Sequence, residues 1–203
     1  GHDLQNVFNP EDLMDWNMES DSSLHSQGVL SKFRKQASGA QKIVIYDDDH
    51  YYMGGVLAEL LVEQGLRVSL VTPAPLVSYW SQFTLEQERI QHKLMRLGVK
   101  LFPQHILSKI EADCVSLINT VSGELAELAQ DGVVLVSDRI SNDGLYYELK
   151  PALREGKIQS LRVIGDAEAP NIIAQAVFSG HLAAREFDEE RSEGTPFKVE
   201  RMM

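Results

Sequence analysis

Cysteine is nearly absent from this chain of 203 residues, in which Cys114 stands alone. An internal disulfide and a cysteine-held iron–sulfur cluster within the chain are therefore excluded. Basic residues are also scarce, 19 Lys and Arg against 30 Asp and Glu, and the net charge is −11. That balance argues against nucleic acid and anionic membranes as partners, since both require Lys/Arg clusters. No stretch approaches the roughly 18 apolar residues of a membrane span, and no basic-then-apolar leader opens the chain. The six histidines (2, 25, 50, 92, 105 and 181) show neither H-x-x-x-H nor H-E-x-x-H spacing, so no zinc site is expected. A soluble, acidic, cytoplasmic protein is the plain reading. Gly1-His2, with no initiator Met, reads as a remnant of tag removal and so as the start of an expressed piece.

What is present begins with a hydrophobic content of 43%, enough for a sizeable core. Residues 1–40 are polar and read as a linker or irregular segment. Within them Asn9 and Pro10 mark a short helix start, and residues 20–38 are rich in Ser, Gln and charge. Residues 43–46 form an unbroken apolar run, as a parallel strand covered on both faces requires. From Val56 to Glu63 apolar residues recur at helical spacing, Gly65 closes that helix, and residues 67–71 form a second strand. The resulting β-α-β unit is roughly 30 residues long, as a right-handed crossover needs.

Residues 73–83 read as a loop. Thr84 is expected to cap a helix with Glu86 and Glu88 in its first turn, Leu85, Ile90, Leu94 and Leu97 on its apolar face, and Gly98 as its stop. Residues 106–128 alternate apolar and polar with two breaks, which predicts a small antiparallel meander. Residues 133–136 and 161–164 are further buried strands. The last leads through Gly165-Asp166 into a helix from about Pro170 to Glu186, and residues 189–203 form a charged tail.

The turn after residues 43–46 is where a dinucleotide-binding fold places G-x-G-x-x-G. Here Asp47-Asp48-Asp49 stand instead, with Gly54-Gly55 following. Three readings are open: a carboxylate capping the next helix, a Mg²⁺ site of clustered carboxylates, or a nucleotide turn that has lost its ligand. The run also resembles the D-x-D strand end of haloacid-dehalogenase-type phosphatases, with Asp47 as nucleophile, Asp49 as acid/base, and Thr72 and Asp166 as further members. It departs from that pattern at His50 and at Ala169-Pro170, and no suitable Lys is evident. Gly165-Asp166-Ala167 has two readings as well. A strand-end turn and helix cap is one. The other is a carboxylate brought to flavin-nucleotide hydroxyls beside a helix N-terminus. Cys114 reads as an inert thiol.

Taken together, the motifs resemble a family. Residues 163–186, Val-Ile-Gly-Asp166-Ala-Glu-Ala-Pro170 through Gly180-His181 to Arg185-Glu, resemble the C-terminal signature of the trimethylamine dehydrogenase family. Histamine dehydrogenase, 2,4-dienoyl-CoA reductase and N-methyl amine demethylases belong to the same group. Residues 45–61 are similar to the opening of the small domain in its amine-oxidising branch, as are Leu70-Val-Thr-Pro, Thr84-Leu-Glu-Gln and residues 134–143.

The resemblance implies an α/β fold: a three-layer Rossmann-like NAD(P)H-type domain with a small antiparallel meander at 41–150. A strand–helix remnant of an FAD/ADP-binding domain follows at 158–188. It further implies a parent with an upstream flavin barrel, FMN, a 4Fe–4S cluster and FAD or ADP, and electron transfer to a protein acceptor. Gly165, Asp166 and Ala167 would contact FAD or ADP in that parent. Asp47, Asp48, Asp49 and Gly54 would form a degenerate nucleotide turn, with Asp138 adding charge beside it where the reductase branch has a Thr-Gly-Arg. The chain alone is expected to bind no cofactor and to have no turnover, and its residues 158–188 are expected either to dock onto the small domain or to mediate self-association, with exchange of elements as a route. Its parent is expected to oxidise an N-methylated amine, with dienoyl-CoA-type NADPH-dependent reduction as the second reading.

Overall fold

In a computed structural model of the protein the described residues are 3–13, 41–137 and 139–187. Most of the expected linker, the tail and Asp138 lie outside them. The chain divides into two compact units, Gly1–Asp138 and Arg139–Met203.

The first unit is built on a parallel sheet. Its strands are β1 (Val7–Phe8), β2 (Lys42–Asp47), β3 (Arg67–Val71), β4 (Lys100–Phe102) and, after the meander, β8 (Gly132–Val136). They lie in the order β1-β8-β2-β3-β4, and every pairing is parallel. Strand side chains alternate between faces, and β2 shows the consequence. Ile43 and Ile45 join one core with Leu57, Ala58, Leu61, Leu70 and Leu94. Val44 joins another with Val71, Val133, Val115 and Leu117. The first core is covered by α2 (Met53–Glu63) and α3 (Gln87–Arg96). The second is covered by the antiparallel sheet β5 (His105–Ile110), β6 (Cys114–Asn119) and β7 (Leu125–Ala129). Helices, parallel sheet and meander thus make three layers, and the meander stands as the alternation predicts.

Several local expectations change. Helix α2 starts at Met53, where the Val56 N–H bonds to the Tyr52 carbonyl (2.9 Å), so Gly54 and Gly55 fall in its first turn. Residues expected in a loop form a 3₁₀ turn, Tyr79–Thr84. Thr84 does not cap α3, because its hydroxyl is bonded within that turn to the Ser81 carbonyl (3.0 Å) and the helix begins two residues beyond Leu85. Within the expected linker, Val7–Phe8 adds to the sheet edge beside β8 and α1 (Pro10–Leu13) buries Leu13.

The second unit holds α4 (Gly144–Arg154), a 3₁₀ turn (Gly165–Ala167) and α5 (Ile173–Arg185). Helix α4 was not expected, since Pro151 reads as a breaker, yet it sits within the helix. The strand expected at 161–164 is not formed. Ile164 is extended (φ −142°, ψ 161°), but no described strand of this unit offers it a ladder. Helix α5 begins at Ile173 rather than near Pro170.

Candidate functional site

In an open parallel sheet, ligands bind beyond the carboxyl ends of the strands, where the strand order reverses. Here the chain runs outward from β2 through β3 to β4, then returns to place β8 on the other side of β2. The reversal lies between β2 and β8. Asp47 ends β2 opposite Val136, and the Asp48 N–H continues the ladder to the Val136 carbonyl (2.8 Å). The topology therefore delivers the acidic triplet to the switch point.

The three carboxylates do not converge. Asp47 points inward and is 0% exposed. Its Oδ1 accepts the His50 N–H (3.2 Å), while Oδ2 has no hydrogen-bond partner in the protein. Burial pushes its carboxyl up to about 7; the His50 N–H opposes that shift, and the charge of Asp49 adds to it. Asp48 points outward and lies 3.3 Å from His50 Nε2. Among the described residues no three His, Cys, Asp or Glu side chains are grouped to hold a metal ion. A buried Asp47 also cannot serve as an in-line nucleophile, so the phosphatase geometry is not present. The residue at the N-cap of α2 is Tyr52, whose side chain makes no cap bond. Asp47 closes the turn before the helix instead.

His50 holds the turn in place. Its backbone is left-handed (φ 59°), a conformation that is unfavourable outside glycine. Its carbonyl accepts the Trp80 N–H (2.9 Å), and its Nδ1 lies 3.3 Å from Thr72 Oγ1. Asp48 Oδ1 thus flanks Nε2 on one side of the ring, the Thr72 hydroxyl lies within hydrogen-bond distance of Nδ1 on the other, and Thr72 Oγ1 accepts the Ala74 N–H (3.3 Å). Carboxylate, imidazole and hydroxyl in series have the chemistry of an activated nucleophile. Thr72, however, is 0% exposed, so no substrate can reach its hydroxyl. The series ties the ends of β2 and β3 to the Trp80 turn. Sequence reasoning treated His50 only as a departure from a phosphatase motif; no periodicity marks a residue that acts through its backbone.

Tyr46, just before the triplet, has its phenol pushed up by burial and then by Asp48. Cys114 Sγ donates to Glu111 Oε2 (3.3 Å), and that neighbour holds the thiol up, as suits an inert thiol.

In the second unit Gly165 takes φ 60° and its N–H donates to Ser179 Oγ (2.8 Å). A side chain here would lie 3.6 Å from the Ala176 Cβ, so the turn sits against α5. Asp166 Oδ1 accepts the Asn171 N–H (3.3 Å). The carboxylate thereby closes the loop leading to α5. The described residues bring Gly165, Asp166 and Ala167 together as one turn.

These features define a mixed α/β protein whose central parallel sheet carries an acidic turn at its switch point. The chain belongs to the OYE-like second alpha/beta domain family, whose model matches residues 30–144. It is homologous to the C-terminal part of the trimethylamine-dehydrogenase-type flavoproteins, as its motifs indicate. Dimethylamine dehydrogenase of Hyphomicrobium sp. (strain x) is 34% identical over 188 residues, covering 82% of this chain and 25% of that protein. The structure of histamine dehydrogenase from Rhizobium sp. 4-9 matches with a TM-score of 0.77 at 34% identity, over 96% of this chain and 28% of that one. That of 6-hydroxypseudooxynicotine amine oxidase from Pseudomonas geniculata N1 matches with a TM-score of 0.74 at 29% identity, over 92% and 25%. The chain thus spans about a quarter of the length of these relatives. Among the described residues no helix is long and apolar enough to cross a membrane.

Proposed function

We propose that this chain is the non-catalytic C-terminal region of an FMN- and iron–sulfur-dependent oxidoreductase that oxidises an N-methylated amine. In this reading residues 41–150 are a Rossmann-like domain that has given up nicotinamide binding and serves as architecture. Residues 158–188 complete, with upstream chain, a domain that holds FAD or ADP through Gly165, Asp166 and Ala167. The upstream flavin barrel is the main partner, and electrons leave the parent to a protein acceptor. No residue of this chain touches the reacting atoms.

The observation that carries the reading is Asp47. A phosphate-binding turn presents bare backbone N–H groups to the ligand, and this turn presents a fully buried carboxyl at the same place. Beyond it lies Asp48, exposed and acidic. Two like charges about 4 Å apart repel by about 1 kcal/mol in water and by several-fold more where water is partly excluded. A dinucleotide pyrophosphate would meet that repulsion without the compensating glycine turn. The 34% and 29% identical relatives, dimethylamine dehydrogenase, histamine dehydrogenase and an amine oxidase, are all named for amines. The CoA-reductase reading has support from fold alone, through a 2-naphthoyl-CoA reductase structure at 19% identity with a TM-score of 0.60.

Calorimetric titration of the chain with NADPH tests the central step. No binding is expected up to millimolar ligand. Micromolar binding without added metal would favour the reductase reading and overturn this one.

A further inference from the structure

Asp47 is more than one charge among three. Its side chain is wholly buried, and it is aimed at the first turn of α2. A methyl group placed on Gly54 would lie 2.6 Å from both Cγ and Oδ2 of Asp47 and 2.9 Å from its Cβ. Those separations leave no room for any side chain at Gly54, nor for a ligand atom between the carboxyl and the helix. Helix α2 has 11 residues and no side-chain cap. Its first N–H groups lack partners within the helix, and the dipole there favours negative charge. Oδ2, the carboxylate oxygen nearest Gly54, accepts no hydrogen bond from the protein.

We propose that the Asp47 side chain is a built-in occupant of the anion position at the N-terminus of α2, so that the switch-point turn is closed to phosphate groups by self-occupancy rather than by repulsion alone. The proposal deepens the reading of this turn as a degenerate nucleotide site and rests on it. Gly54 is then required by Asp47, not by a ligand. Asp48 and Asp49 play different parts: Asp48 is exposed and bound to His50, and Asp49 acts on Asp47 through its charge and its backbone N–H. The three atoms nearest a side chain on Gly54 all belong to Asp47.

Two mechanisms of exclusion give opposite mutational patterns. Under self-occupancy, Asp47→Gly reopens the position, and inorganic pyrophosphate should bind at pH 7.5 at least about tenfold more tightly than to the wild type. The double variant Asp48→Asn/Asp49→Asn should change binding by less than about threefold. Under charge repulsion the double variant would gain and Asp47→Gly would gain no more than it. That result, or a folded Asp47→Gly chain with no gain, overturns the proposal. Wild-type binding of NADPH would instead overturn the reading beneath it, so the two failures are distinct.

The contact has a second readout that needs no ligand. Gly54→Ala should lower the melting temperature by about 5–10 °C, as overpacking of a tight contact does. Adding Asp47→Gly should restore most of that loss, because only glycine removes the Cβ as well. A Gly54→Ala chain that melts like the wild type shows that no carboxyl fills the position, and overturns the proposal even if Asp47→Gly fails to fold.

Discussion

Residues 41–137 and residues 139–187 both carry regularly spaced apolar side chains, but only the first set hides them. In the first unit Ile43, Ile45, Leu57, Leu61 and Leu70 are all 0% exposed. In the second, α4, the Gly165 turn and α5 bury no residue at all. Ile173 is 83% exposed, Phe178 57% and Val177 52%. A helix with an apolar stripe is half of a packing interaction, and so is an apolar segment such as 161–164 with no strand beside it. The first unit contains both halves of its core contacts, helices on one face of the sheet and the meander on the other. The second carries halves whose complements, on the proposed reading, lie in the upstream part of a protein about four times as long.

The largest effect expected from this contrast is in the first unit. Leu57→Ala removes a side chain packed between α2 and the sheet and should cost about 4 kcal/mol in denaturant unfolding. A loss under about 1 kcal/mol would mean that the helix layer is not firmly packed, and the contrast between the units would collapse.

Asp47 sets a second, pH-dependent difference, because it is a fully buried carboxyl in the better-packed unit. Its folded-state value of about 7 lies above its ordinary 3.8. Below pH 3.8 both folded and unfolded chains hold the proton, and the group has no effect. Between 3.8 and about 7 the unfolded chain releases its proton while the folded chain keeps it, so stability falls as pH rises. Above about 7 the penalty is complete, at most about 4 kcal/mol. Asp47→Asn keeps an acceptor for the His50 N–H and cannot ionise. It should match the wild type near pH 4 and be more stable by roughly 2 kcal/mol at pH 8.5. Urea midpoints at the two pH values decide the matter. A variant less stable than the wild type at pH 8.5 would show that the helix N-terminus outweighs burial at this carboxyl.

Local rules account for what was legible. The run 43–46 reads as a doubly covered strand, and it lies between two strands with a core on each face. Gly65 and Gly98 read as helix stops, and both take the left-handed backbone, at φ 82° and 83°. The breaks in 106–128 set the meander. What stayed hidden depends on distant chain. Val7–Phe8 is too short to show a period and becomes a strand only beside β8. Pro151 hides α4. The carboxylates of 47–49 are equivalent in the sequence, and only the crossing of β2, β8 and α2 decides that the first turns inward. A trace of that decision was readable, since two small residues, Gly54-Gly55, open a helix where nothing local requires them. The strand expected at 161–164 fails for the complementary reason: its pattern is right, but no partner stands beside it.

The smallest effect is the most diagnostic for the second unit. Val177 lies on α5 and is about half exposed. If nothing in this chain covers that face, Val177→Ser removes little burial, and surface changes of this kind stay within about 0.5 kcal/mol. The unfolding midpoint of the isolated chain should therefore barely move, while in the full-length protein, where the proposed upstream domain covers α5, the same change should cost about 1–3 kcal/mol. Uncovered apolar faces also favour pairing between chains, so light scattering should show the isolated wild type associating with rising concentration and Val177→Ser doing so less. If Val177→Ser destabilised a strictly monomeric chain as severely as Leu57→Ala does, α5 would already have its cover within these 203 residues. The second unit would then be a complete packing unit like the first.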